Sequence, residues 1–174
     1  MIVWITGRPA AGKTTLGRRL VDALQARGAR ATLIDSDEVR EKLTPEPTYE
    51  KGERAIVYRA MAYVARRLAD EGVVAVVAAT AHDSSLRAAV RAVAGEILLV
   101  HARCSLEEAE RRDPKGIYRR ARATERGTVP GVHVPFVEPE DADVTVDTET
   151  AIDEGAIEAI VSRLISGGLL LVPT

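Results

Sequence analysis

Gly7, Gly12, Lys13 and Thr14 fall at the spacing G-x-x-x-x-G-K-[ST] within the stretch GRPAAGKT, the pattern of a phosphate-binding loop. The chemistry follows from the residue types. Gly7 and Gly12 let the backbone curl tightly around an anion. Loop amides and the start of a following helix aim N–H groups at phosphate oxygens, and the helix dipole favours negative charge there. Lys13 can reach the β- and γ-phosphates of a nucleotide, and Thr14 can place its hydroxyl on Mg²⁺. The plain alternative is an ordinary turn. The context argues against it: an apolar run, Ile2–Ile5, precedes the stretch, and a helical pattern with Leu16, Leu20, Val21 and Leu24 on one face follows.

Two more groups carry charge suited to phosphoryl transfer. IDSDEVR, Ile34 to Arg40, ends the second strand pattern with two carboxylates, Asp35 and Asp37. Leaving the sheet beside the phosphate loop, such a carboxylate can organise Mg²⁺ or accept the proton of an attacking hydroxyl. Asp37 is the expected base or metal-shell ligand. Asp35 is read as a helix cap or a partner of Arg40, and N-capping by Ser36 or Asp37 stays open. The run Arg111 to Gly127, RRDPKGIYRRARATERG, is strongly basic. Lys115, Arg119 and Arg120 would close over a triphosphate and stabilise its charge in transfer. A solvated helix face is the usual fate of such a run, but Asp113-Pro114-Lys115-Gly116 breaks the helix as a hinge would. Arg54 and Arg59 share one helix, where they either bind an anionic acceptor or decorate the surface. His82 stands at the end of the third strand as a weaker candidate, and Cys104 reads as a small buried residue.

These groups need elements to hold them. Strand patterns cover Ile2–Ile5, Ala31–Ile34, Val73–Ala79, Glu96–Ala102 and Val144–Val146, and the third and fourth are continuously apolar, as in strands buried on both faces of a parallel sheet. Helical patterns lie between them at Thr14–Ala26, Lys51–Glu71, Ser84–Ala94 and Leu106–Arg112, with a last one over Asp153–Ile165. The alternation predicts an α/β fold, a five-stranded parallel sheet flanked by helices on both faces. Right-handed crossovers then gather the strands' carboxyl-end loops on one edge, where ligands bind. Leu43–Tyr49 reads as a loop. Thr124–Asp141, rich in Gly and Pro, reads as an irregular lid or binding loop.

The 174 residues suit one domain, residues 1–174. A formal charge of −2 advertises neither nucleic acid nor membrane as a partner. One cysteine excludes an internal disulfide and fits a reducing compartment. No signal peptide and no membrane span are visible, so a cytoplasmic protein is expected. Aromatic residues make up 3% of the chain, so any ring that stacks on a base comes from a very short list.

With these residues in place, the chain resembles the adenylylsulfate kinases, P-loop kinases that phosphorylate the 3′-hydroxyl of adenylylsulfate with MgATP. GRPAAGKTT is similar to the family's G-L-S-G-A-G-K-[ST]-T, and IDSDEVR to its L-D-G-D-x-[VL]-R. The most specific match is RDPKGIYRRARA, Arg112 to Ala123, against R-D-x-K-G-L-Y-x-K-A-R-A. Gly131, Pro135 and Pro139 fall on F-T-G-x-x-x-P-Y-E-x-P, and Val146 to Thr148 on the final strand's V-D-T. Other positions depart. Of R-x-x-N-x-x-R, Arg54 remains and Val57 replaces the Asn. Thr80-Ala81-His82-Asp83-Ser84 replaces I-S-P-x-R, so the serine and the arginine are gone. Val129 and Pro130 stand for the lid's Phe-Thr, and Phe136 for its Tyr.

The residues and the resemblance together define the expectations. Lys13, Asp37 and Lys115 are catalytic. Gly7, Arg8, Pro9, Ala10, Ala11, Gly12, Lys13, Thr14, Thr15 and Arg112 hold ATP, with Mg²⁺ on Thr14 and Asp37. Asp35, Arg40, Arg54, Arg59, Thr80, His82, Lys115, Val129 and Phe136 hold the acceptor, and residues 112–141 form the lid. The expected partners are ATP and a small anionic hydroxyl compound, adenylylsulfate foremost, with a homodimer admitted. The changes at Val57, Ala81 and Val129 predict a weaker grip on adenylylsulfate. They keep open a diverged kinase for another nucleotide or metabolite hydroxyl and, less favoured, a nucleotide switch or ATPase without an acceptor.

Overall fold

Residues with no polar face to offer water build the centre of the sheet. IVWIT forms β1 (Ile2–Thr6) and VAVVA forms β3 (Val74–Ala78), and every residue of both is buried. The computed structural model describes residues 1–168. The other strands are β2 (Ala31–Asp35), β4 (Leu98–Arg103) and β5 (Val144–Asp147). All pair in parallel, in the order β2-β3-β1-β4-β5. The helices are α1 (Lys13–Gln25), α2 (Ser36–Leu43), α3 (Lys51–Asp70), α4 (Ser84–Ala94), α5 (Leu106–Arg112), α6 (Ile117–Arg122) and α7 (Glu154–Ser166).

Period-two alternation divides the strand side chains between two cores. Trp4, Ala75, Val77 and Leu99 pack against Met61 of α3 and Leu86 and Val90 of α4. Val3, Ile5, Val76 and Val100 pack against Leu16, Leu20 and Leu24 of α1 and Ile160 and Leu164 of α7. From β1 the chain runs out to β2, returns through β3, and then crosses β1 to reach β4. Connections therefore diverge above the carboxyl end of β1, and the resulting crevice is where open α/β sheets bind ligands. The phosphate loop leads out of that strand.

Some boundaries differ from the sequence reading. β4 begins at Leu98 rather than Glu96, because Gly95 turns the chain at φ 77 and Glu96 is exposed. Helix α2 follows β2 without a loop. Its cap is Asp35, whose side chain accepts from Asp37 N, and neither Ser36 nor Asp37 caps it. The basic run starts in the last turn of α5 and holds a second short helix, α6, entered through Gly116 at φ 63. Within Thr124–Asp141 the backbone forms one isolated bridge, Pro130 to Val134, and otherwise no strand or helix. Among the described residues, no helix is long and apolar enough to cross a membrane.

Candidate active site

The phosphate loop is closed by contacts that small residues alone permit. A Cβ on Gly7 would lie 2.5 Å from Ala102 O, so the loop can approach β4 this closely only with glycine there. Gly12, at φ 79, ends the loop and begins α1. Ala11 is buried behind it, Pro9 O accepts the Tyr118 hydroxyl at 3.1 Å, and Thr15 faces solvent. Lys13 Nζ folds back across the loop, donating to Gly7 O at 3.1 Å and Arg8 O at 2.7 Å.

Part of the Lys13 stem stays accessible, yet its ammonium lies deep in the loop, and burial pushes it down to about 8 against the opposing pull of Asp37 and Asp35. The sign of the pH effect follows. Between pH 8 and the ordinary lysine value of 10.5, the unfolded chain holds a proton that the folded chain has released. Stability therefore rises with pH across that window. Denaturant melts of the ligand-free protein from pH 7.5 to 10.5 should give wild type a more positive slope of stability against pH than Lys13→Met, since the titrations of Cys104, Tyr118 and the N-terminus are common to both. Equal slopes in both would contradict the assignment.

The end of β2 meets the loop. Thr14 Oγ1 donates to Asp35 Oδ2 at 2.6 Å, while Asp35 Oδ1 caps α2. The carboxylate beside Thr14 is thus Asp35 rather than Asp37. Asp37 points instead to the basic segment, where Lys115 Nζ lies 2.5 Å from its Oδ2. That contact raises the Lys115 ammonium above its ordinary value. Arg112 is held within the fold: its Nη2 donates to Thr148 O at 2.6 Å and Glu149 O at 2.9 Å in the turn after β5, and its Nε donates to Glu108 at 2.7 Å. Arg119 and Arg120 fold back over Gly116, in the turn that carries Lys115.

A second concavity of about 250 Å³ opens beside this edge. The start of α3 (Tyr49, Lys51, Arg54), the β3–α4 turn (His82, Asp83) and the segment with Thr128, Val134, Pro135 and Val137 line it. Arg54 is buried and acts as a strut, its Nε on Tyr49 O at 2.7 Å and its Nη2 on Thr128 O at 3.0 Å. Beneath the Tyr49 ring, 4.8 Å from its centroid, lies the buried guanidinium of Arg40. Arg40 pairs with Glu53 and not Asp35, and its Nη2 has no hydrogen-bond partner among the described residues. His82 is buried too, with Nδ1 unpartnered among the described residues. Burial and the Arg54 charge hold its imidazole below the ordinary value.

The family model for adenylylsulphate kinase matches residues 1–147. The chain belongs to this family. A probable adenylyl-sulfate kinase of Aeropyrum pernix is 35% identical over 170 residues, covering 95% of this chain and 91% of the relative. The adenylyl-sulfate kinase of a Picosynechococcus species is 34% identical, covering 97% and 95%. Among solved structures, the Mycobacterium tuberculosis APS kinase in complex with AMPPNP and APS superposes with a TM-score of 0.85. It is 32% identical, covering 94% of this chain and 96% of that one.

Several expected acceptor residues stand elsewhere. Phe136 is buried under the Arg8 guanidinium, 4.7 Å away, and stacks on His101. Val129 packs against the small core of Ala11, Cys104, Ala109 and Tyr118 and does not line the cleft. Arg59 is exposed and lines no part of the cleft, and Thr80 turns its carbonyl to the Thr6 hydroxyl at 2.6 Å. Arg8 commits its side chain to Glu138 at 2.6 Å and Cys104 O at 3.2 Å, leaving only its backbone for a phosphate. Val57, at the family's Asn position, is core.

Sequence reasoning missed three residues. Arg87 of α4 donates to Ala81 O and Val137 O, each at 3.1 Å, and so ties the β3–α4 turn to the lid segment. His101 lies 3.0 Å from Glu138 in a bent contact. Among the described residues, Tyr49 is the one Phe, Tyr or Trp lining the cleft, where it holds an unusual φ of 56. The scarcity of rings narrows the choice: Trp4, Tyr58, Tyr118 and Phe136 are buried, and Tyr63 is exposed on α3 but lines no part of the cleft.

Proposed function

We propose that the protein transfers the γ-phosphoryl group of ATP to the 3′-hydroxyl of adenylylsulfate, giving ADP and 3′-phosphoadenylylsulfate. One observation carries the reading: the phosphate loop, the acid pair and the basic segment meet on one edge, through Thr14 on Asp35 and Lys115 on Asp37. That edge adjoins a cleft with cationic walls. In this reading the loop amides and Lys13 hold the β- and γ-phosphates. Thr14 and Asp35 offer adjacent oxygens of the kind Mg²⁺ takes alongside phosphate and water. They would hold the ion, which supplies charge neutralisation on the β- and γ-oxygens when bound.

Asp37 accepts the hydroxyl proton as the acceptor oxygen attacks the γ-phosphorus and the bond to the β–γ bridging oxygen breaks. Lys115, freed from Asp37, turns to the oxygens of the transferred group. Arg40 and Arg54 face the acceptor's negative charge, and Tyr49 offers its ring to the purine, in place of the aromatic lost at Val129. Residues 112–141 serve as the lid, and the buried thiol suits a cytoplasmic enzyme.

The test is transfer of label from γ-labelled ATP, with adenylylsulfate, with other hydroxyl compounds, and with none. Adenylylsulfate-dependent labelling of the 3′-position is the expected result. ATP hydrolysis indifferent to any acceptor, or label passing only to another hydroxyl compound, would replace this reading.

A further inference from the structure

The cleft's charges are distributed unevenly in a way that fold stability does not explain. Arg54 has two donors fixed on backbone carbonyls. Lys51, by contrast, is 69% exposed along its side chain, and its one charged contact among the described residues is Asp83 Oδ2 at 3.4 Å. It is also the first residue of α3. A cation there faces the positive end of the helix dipole, which disfavours it. An ion pair this exposed returns little stability. As a structural residue, Lys51 is poorly placed.

Asp83 explains how the lysine is kept at the cleft. Its Oδ1 is occupied, accepting from Leu86 N at 2.8 Å and Ser85 Oγ at 2.7 Å as the cap of α4. Its Oδ2 is turned to Lys51, with His82 Nε2 at 3.8 Å. Burial works against the Asp83 charge, but the Ser85 hydroxyl, the Leu86 amide and Lys51 hold the carboxyl below the usual range. The carboxylate thus stays ionised, and one of its oxygens remains for a mobile ammonium. In the family pattern this turn carries an arginine. Here the turn carries an acid, and a cation comes from the facing helix instead.

We propose that Lys51 is a specificity-determining residue for the acceptor, swinging from Asp83 onto the acceptor's anionic group when it enters the cleft. Asp83 keeps the ammonium at the rim until then and repels an anion seated without it. The inference rests on adenylylsulfate being the acceptor. It adds a contact from the start of α3, from a residue that the motif comparison did not select.

Steady-state kinetics with adenylylsulfate varied at saturating MgATP, and with ATP varied at saturating acceptor, test it in wild type, Lys51→Met and Lys51→Arg. Lys51→Met should raise the KM for adenylylsulfate by roughly tenfold, the scale of one charge-assisted hydrogen bond, with the KM for ATP unmoved. Lys51→Arg should recover most of that loss. The wild-type KM for adenylylsulfate should rise with added salt, and the Lys51→Met value should rise less. A Lys51→Met KM within twofold of wild type, a loss confined to kcat, or a Lys51→Arg enzyme as poor as Lys51→Met overturns the inference alone. Wild-type enzyme that turns over no adenylylsulfate overturns the functional reading, and this inference falls with it.

Discussion

Replacing Lys13 by alanine should lower phosphoryl transfer by about 10³-fold or more, the scale on which a cation matched to the transferred group acts. The ammonium folds back into the phosphate loop, bridging the carbonyls of Gly7 and Arg8, whereas the Arg8 guanidinium is committed to Glu138. Phosphate oxygens would compete for the same three protons, and the charge would follow the γ-group as it leaves. Because burial already makes the ammonium costly to keep, Lys13→Ala should melt no lower than wild type at pH 7. Loss of turnover with retained stability separates a role in the reaction from a role in folding. Turnover above a tenth of the wild-type value would show that the loop does not work through Lys13.

The parts legible in the sequence are those whose logic is local. GRPAAGKT names its own turn, because Gly7, Gly12, Lys13 and Thr14 act within eight residues of one another. Ser84–Ala94 and Leu106–Arg112 fold with the bounds their patterns give, since each has an Asp or Ser ready to cap it. Helix α2 was harder. SDEVREKL has almost no apolar face, and only Arg40 of its residues is buried. Its start depends on the Asp35 side chain, which also receives Thr14 from 21 positions away.

The acceptor side was least legible for the same reason. Phe136 and Val129 occupy motif positions, but long-range pairings decide where they point. Arg8 meets Glu138 across 130 positions and so draws Phe136 beneath its guanidinium. Arg54 meets Thr128 across 74 and fixes the lid backbone. No spacing rule contains such pairs. Tyr49 gave only a compositional signal, a ring in a chain with few, in a loop beside Arg54.

Asp37 is the harder assignment, since an acidic residue in the first turn of a helix is already favourable to the dipole by about 0.3–1 kcal/mol. Three features argue for more. Its neighbour Asp35, not Asp37, caps α2. Its carboxylate is 54% exposed and reaches Lys115 from 78 positions away. It also lies near enough to Lys13 for its charge to oppose loss of that proton. Asp37→Asn keeps an oxygen for Lys115 and removes only the charge and basicity. It should cut kcat by about 10²- to 10⁴-fold, the range of a positioned general base, while ATP affinity and melting temperature hardly move. Asp35→Asn is the informative contrast. Asparagine caps helices as well as aspartate, but with its single oxygen on Asp37 N it presents an NH2 to Thr14 in place of Oδ2, so its cost should fall on Mg²⁺ dependence rather than on the acceptor step. Titrating Mg²⁺ at fixed ATP distinguishes the two. If Asp37→Asn turns over normally and merely melts lower, Asp37 belongs to the first turn of α2, and the proton of the acceptor hydroxyl must go elsewhere.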